Sequence, residues 1–109
     1  MSQLSGFRIM WMLVMFDLPV LTKKERKEAN TFRTHLQNLG FERCQFSVYM
    51  RCCPGKEKIE FYVRKIKDRL PEGGKVDILS FTDRQFENII SFQTSARKKN
   101  KKPTQLTLF

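Results

Sequence analysis

The segment Ile9–Leu21, IMWMLVMFDLPVL, constrains this chain most. Eight apolar residues in a row, Ile9 to Phe16, run directly into Asp17, and Pro19 follows two residues later. Such a run falls far short of the roughly 20 residues that span a bilayer. It has the length of a signal-peptide core with Arg8 as a thin basic flank, yet no small-x-small cleavage pattern follows, only Asp-Leu-Pro-Val-Leu-Thr and a charged amphipathic segment. A continuous apolar run of this length, closed by a turn, reads as a first strand buried on both faces. The expectation is a cytoplasmic protein with no membrane attachment.

Downstream, the periodicity changes. Thr22-Lys23-Lys24-Glu25 matches a capping box, and Ala29, Phe32, Leu36 and Leu39 then recur at helical spacing before Gly40 ends the helix. Phe41 to Cys53 alternates, with Cys44, Phe46, Val48 and Met50 on one side and Arg43, Gln45, Ser47, Tyr49 and Arg51 on the other. That is the period of one bent strand or of two short strands joined by a turn or bulge. A second helix presents Ile59, Val63, Ile66 and Leu70 as its buried stripe and stops at Pro71. Gly73-Gly74 makes a turn, Lys75 to Phe81 reads as a strand, Thr82 to Asn88 as a turn or short helix, and Ile89 to Phe92 as a short strand.

This order is that of an α+β, ferredoxin-like βαββαβ fold: an antiparallel sheet with two helices on one face. The domain spans residues 1–93. Residues 94–103 read as a mobile basic linker, and 104–109 as a C-terminal docking strand whose alternation puts Leu106 and Leu108 opposite Phe109. Two helices cover only one face of the sheet, so an apolar first strand leaves the other face unexplained. A second subunit pressing on it would give a two-fold homodimer.

With 109 residues the chain makes one small domain, and its charge is strongly basic, 21 Lys and Arg against 11 Asp and Glu. From Gln93 onward there are five cations (Arg97, Lys98, Lys99, Lys101, Lys102) and no acid. A basic body with a basic arm suits a polyanion, because neutralising phosphates releases condensed counterions. The nucleic-acid candidates are Lys23, Lys24, Arg26 and Lys27 at the start of the first helix, then Arg43, Arg51, Arg84 and the arm. No aromatic RNA-recognition motif occurs on the strands, so backbone contact without sequence preference is expected, with DNA and RNA both open as ligands.

The three cysteines, Cys44, Cys52 and Cys53, form no CxxC pair, and His35 is the only histidine, so neither a disulfide frame nor a zinc site is expected. There is no glycine-rich phosphate loop and no nucleophile elbow. Asp17 is the remaining candidate for chemistry. Alone it is an ordinary turn residue before proline. Duplicated across a two-fold axis it would give two carboxylates for Mg²⁺, with waters completing the octahedron.

The Met-Phe-Asp-Leu-Pro end of the first strand, then Gly-Phe-Glu-Arg-Cys-Gln-Phe-Ser-Val-Tyr, and later Val-Asp-Ile-Leu-Ser-Phe-Thr-Asp-Arg-Gln-Phe together resemble the CRISPR-associated Cas2 proteins. The resemblance runs from Arg8 to about Phe92 and is most specific at Asp17 and at Gln45-x-Ser47-Val48-Tyr49. The basic extension with its Leu-Thr-Leu-Phe end is similar to members found beside type II CRISPR loci. The resemblance implies a ferredoxin-like homodimer that works with the CRISPR integrase Cas1 in spacer acquisition, bridging two integrase dimers and holding protospacer DNA. It also implies a metal-dependent endonuclease that uses Asp17, an activity not uniform across the family. Phe16 stands before that Asp where many relatives carry Tyr, so this chain brings no hydroxyl there. The tail residues Leu106, Leu108 and Phe109 are expected at the dimer edge or on the integrase.

Overall fold

The computed structural model describes residues 8–94. The expectations for the arm, Arg97 to Lys102, and for Leu106, Leu108 and Phe109 lie outside the described residues. Within them the chain forms β1 (Met10–Asp17), α1 (Lys23–Asn38), β2 (Glu42–Gln45), β3 (Val48–Cys53), α2 (Lys56–Lys67), β4 (Lys75–Thr82) and a short α3 (Asp83–Glu87). The sheet order is β2-β3-β1-β4 and every pairing is antiparallel. This is the ferredoxin-like arrangement the element order predicted.

The apolar run becomes a central strand, paired on both sides by β3 and β4. Only one of its faces is covered. Met12, Val14 and Phe16 point at the helices and are at most 7% exposed, whereas Met15 on the other face is 37% exposed. The expectation of burial on both faces therefore holds for half of the strand. Two helices shield one side of the sheet; among the described residues the second is covered only at its Trp11 end, by α3.

α1 starts as its sequence dictates. Thr22 Oγ1 accepts from the Glu25 amide at 3.0 Å, and Glu25 Oε1 accepts from the Thr22 amide at 3.0 Å. Ala29, Phe32 and Leu36 are buried against the sheet. The Phe32 ring meets Phe16 edge-on at 5.3 Å, a geometry favoured by the ring quadrupole. α2 adds Ile66 to this core, with Ile59 and Val63 at its margin. Leu70, expected on the buried stripe, lies past the end of α2 and is 49% exposed.

Phe41 to Cys53 is a hairpin of two short strands, one of the two forms its alternation allows. β2 and β3 join through a turn at Phe46-Ser47, with a bulge between Arg43 and Gln45. Tyr49 and Cys53, not Val48 and Met50, point into the core and are nearly unexposed. The turn and bulge restart the alternation, and the large Tyr49 ring gains more by burial, stacking on Phe16 at 5.7 Å.

α3 carries its own capping box. Thr82 Oγ1 accepts from the Gln85 amide and Gln85 Oε1 from the Thr82 amide. The strand expected over Ile89 to Phe92 does not form. A strand requires a hydrogen-bonded neighbour, and among the described residues this segment has none; Ile90 and Phe92 remain 79% and 81% exposed.

Candidate nucleic-acid and metal site

The register fixes what the uncovered sheet face displays. Trp11 lies between Cys52 and Phe81, Leu13 between Met50 and Leu79, Met15 between Val48 and Asp77, and Asp17 beside Lys75. α3 closes the Trp11 end. The Trp11 ring stacks on Phe86 at 4.0 Å, and its Nε1 donates to Asp83 Oδ1 at 2.8 Å. The Leu13 row is apolar, with Leu79 46% exposed, and Asp77 makes the Met15 row polar at its β4 end.

Asp17 stands at the far end of this face, about 20 Å from Trp11 at the rise of a strand. It is exposed, the last residue of β1. The turn before β4 crosses tightly behind it. Gly74 has φ +82, and a Cβ there would come within 2.7 Å of the Asp17 carbonyl oxygen and 3.1 Å of Leu18 Cα. Only glycine permits both the backbone conformation and the approach. Lys75 lies next to Asp17 in the ladder, but its Nζ is 3.7 Å from Asp77 Oδ2.

Among the described residues, no group of three or more His, Cys, Asp or Glu could hold a metal. Asp17 thus belongs to no such group, and a second copy facing it would add a further carboxylate toward a Mg²⁺ octahedron completed by waters. The cysteines do not change this. Cys44, Cys52 and Cys53 are free thiols, and burial pushes the Cys44 and Cys53 thiols up, against an opposing pull from Arg51 at Cys53.

On the opposite, helical side of the molecule, Lys23, Arg26 and Lys27 line an open groove with Asn30, Thr31, Thr34, His35 and Asn38 of α1. Arg69, from the segment after α2, completes it, and no acid lines it. The spacing of these α1 residues, three and four apart, makes one continuous polar stripe. Arg33 Nη1 donates to Asn30 Oδ1 at 3.0 Å, which leaves the Asn30 amide NH₂ as a donor. His35 Nε2 lies 2.9 Å from the Lys65 carbonyl and joins the two helices. Lys24 falls on the adjacent stripe, 3.9 Å from Glu72. Arg26 also donates to the Val20 and Leu21 carbonyls at 3.0 and 3.1 Å, anchoring the loop that follows Asp17.

The other predicted cations scatter. Arg43 lies at the hairpin, its guanidinium 5.9 Å from the Phe46 ring centroid. Arg84 sits on α3 near Arg8, at the Trp11 end. Arg51 is part of the fold: its Nη1 donates to the Leu39 carbonyl at 2.6 Å, and its guanidinium stacks 4.4 Å from the Tyr62 centroid. Arg69, Asn30, Thr34 and Asn38 were not singled out from the sequence. The acid-free α1 stripe was legible in the spacing; the docking of Arg69 beside it was not.

A family profile described as CRISPR associated protein Cas2 matches residues 10–89. The chain belongs to the Cas2 family. It is 50% identical over 107 residues to the CRISPR-associated endoribonuclease Cas2 of Paracidovorax avenae, a match covering 97% of this chain and 99% of that one. A protein of the same name from Flavobacterium psychrophilum is 41% identical over 109 residues, covering 99% and 95%. A crystal structure of Cas2 superposes with a TM-score of 0.56 at 18% identity, covering 81% of this chain and 92% of that one, a likeness of fold. The α+β class read from the sequence is thereby that of a Cas2 protein. No helix among the described residues is long and apolar enough to cross a membrane.

Proposed function

We propose that this Cas2 chain is a two-fold dimer that serves as the nucleic-acid-binding scaffold of CRISPR spacer acquisition, holding duplex DNA by its backbone and bridging dimers of the integrase Cas1. One observation carries the reading. The apolar face and the basic groove lie on opposite sides of the same sheet, so pairing through the rows of Leu13, Met50 and Leu79 leaves both grooves outward. Lys23 to Asn38 extends about 22 Å at the helical rise, enough to follow about six base pairs of duplex at 3.4 Å each. The groove offers ammonium, guanidinium, amide and hydroxyl groups suited to phosphate oxygens, which supports binding without sequence preference. The C-terminal segment with Leu106, Leu108 and Phe109 is assigned to the integrase or the dimer mate, since an extended segment can add to the edge of a sheet, and β4 is an edge strand among the described residues.

The test is the mass of the purified protein by light scattering, its duplex affinity across a salt series, and co-purification with the integrase in a defined stoichiometry. A monomer with no duplex affinity at low salt overturns the reading.

A second reading is a Mg²⁺-dependent endonuclease acting on RNA or DNA. It is favoured by the placement of Asp17 at the rim of the dimerising face and by the endoribonuclease names of the relatives. Paired Asp17 carboxylates would hold the ion, which when bound supplies Lewis acidity for water activation or phosphoryl charge. Gly74 keeps the backbone behind Asp17 in place, and Lys75 restrains Asp77 beside it. The measurement is cleavage of RNA and of DNA with and without Mg²⁺, with metal affinity by calorimetry, for wild type and Asp17→Ala. Unchanged values in the variant remove Asp17 from the site.

A further inference from the structure

The tip of the β2–β3 hairpin carries an aromatic ring that the core does not use. Phe46 is 69% exposed in a two-residue turn, where polar residues and glycine are the usual occupants. The Phe16 amide donates to the Ser47 carbonyl at 3.1 Å, so the β1–β3 ladder runs on to the tip. Phe46, next to Ser47 in the turn, therefore stands at the end of the ladder where β1 closes with Asp17, which Lys75 flanks on the β4 side. A bulge between Arg43 and Gln45 distorts β2 just before the turn, and the Arg43 guanidinium lies over the Phe46 ring. Bulges of this kind re-aim side chains beside functional sites.

We propose that Phe46 is a stacking platform for one unpaired nucleobase, with Arg43 and Lys75 placed for the phosphates that flank it. The proposal rests on the nucleic-acid reading above and adds a second mode of contact to it. An exposed ring stacks on any base because every base has a π face. Bases inside a duplex have both faces occupied by their neighbours, so only a single-stranded, frayed or flipped nucleotide can use the site. The α1 groove and the hairpin tip therefore divide the ligand: phosphate backbone at the groove, an unpaired base at the tip, beside the Asp17 carboxylate. The tip also lies beyond the apolar rows of Leu13, Met50 and Leu79, on which the dimer is proposed to close.

The experiment uses the full chain and two probes, a 12-nucleotide single-stranded oligouridylate and a blunt-ended, G·C-clamped 12-base-pair DNA duplex. In Phe46→Trp, the oligouridylate is expected to quench the added fluorescence saturably and the duplex is not, with Trp11, stacked on Phe86, as background read from wild type. In Phe46→Ala, affinity for the oligouridylate falls about tenfold, duplex affinity is unchanged, and the sedimentation coefficient stays that of wild type. Equal losses on both probes, no selective quenching, or a change of oligomeric state that accounts for the loss each overturns the assignment. If wild type binds neither probe, the nucleic-acid reading itself falls; if it binds both and the Phe46 variants do not discriminate, the platform alone falls.

Discussion

Arg51 Nη1 donates to the Leu39 carbonyl at 2.6 Å and so closes the C-terminus of α1 from the neighbouring strand β3. The same guanidinium donates from Nε to the Cys52 carbonyl at 3.1 Å and lies over Tyr62. Gly40, at φ +91, makes room, because a Cβ there would overlap the guanidinium. Arg51→Ala is expected to lower stability by about 1–3 kcal/mol, the cost of a part-buried carbonyl left without its charged donor. Arg51→Lys recovers only part, since an ammonium cannot serve two carbonyls and a ring in that fork geometry. Urea unfolding checks the stability, and duplex affinity measured below the transition should match wild type.

The groove makes the opposite prediction. Lys27→Glu combined with Arg69→Glu should leave the urea midpoint nearly unchanged, because both side chains are exposed. Duplex binding should weaken at every sequence tested, and the slope of log affinity against log salt should become shallower by about 2, roughly one for each phosphate no longer neutralised. Filter binding over a salt series reads both quantities.

Much of the fold was legible because period and punctuation agree in this chain. The eight-residue apolar run, the Thr22–Glu25 box and the glycines at turns each name an element without help from the rest. The hairpin was legible only as a segment. Whether Tyr49 or Val48 faces the core depends on where the turn resets the alternation, and apolar and polar residues occupy both phases. Arg51 shows the same limit: its place on a strand was legible, and the helix end it caps was not. Asp17 was recognisable as a candidate, but its ladder partner Lys75 comes from a strand 58 residues away, a juxtaposition set by sheet order rather than spacing. The Ile89–Phe92 segment has strand-forming composition and no strand, because composition cannot supply the missing neighbour.

The open sheet face should fail as a dimer interface when charged. Leu13 pairs laterally with Met50 and Leu79, and Leu79 is already 46% exposed in one chain. Leu79→Glu is therefore expected to leave the circular dichroism of the fold intact. Two copies facing each other would bury two unpaired carboxylates, so the dimer dissociation constant should rise at least about a hundredfold. Sedimentation velocity should show monomer at concentrations where wild type is dimeric. Ser80→Glu, on an exposed residue of the other phase of β4, is the control that should stay dimeric.

The thiols provide a readout of both burial and pH. Cys53 is buried, and burial raises its thiol above the ordinary 9.0, with Arg51 opposing. Cys52 is exposed in the Trp11 row of the open face. Iodoacetamide at pH 8 should label Cys52 well before Cys53, and dimerisation through that face should slow Cys52 while leaving Cys53 unchanged; mass spectrometry of timed samples distinguishes them. Because the folded state holds the Cys53 proton more tightly than the unfolded chain, its contribution to stability is fully present below about 9.0. It is lost as pH rises through the raised folded value, since the unfolded chain has released its proton first. Urea midpoints should fall more steeply between pH 8 and pH 10 for wild type than for Cys53→Ala, and parallel pH profiles would remove the Cys53 thiol as the source.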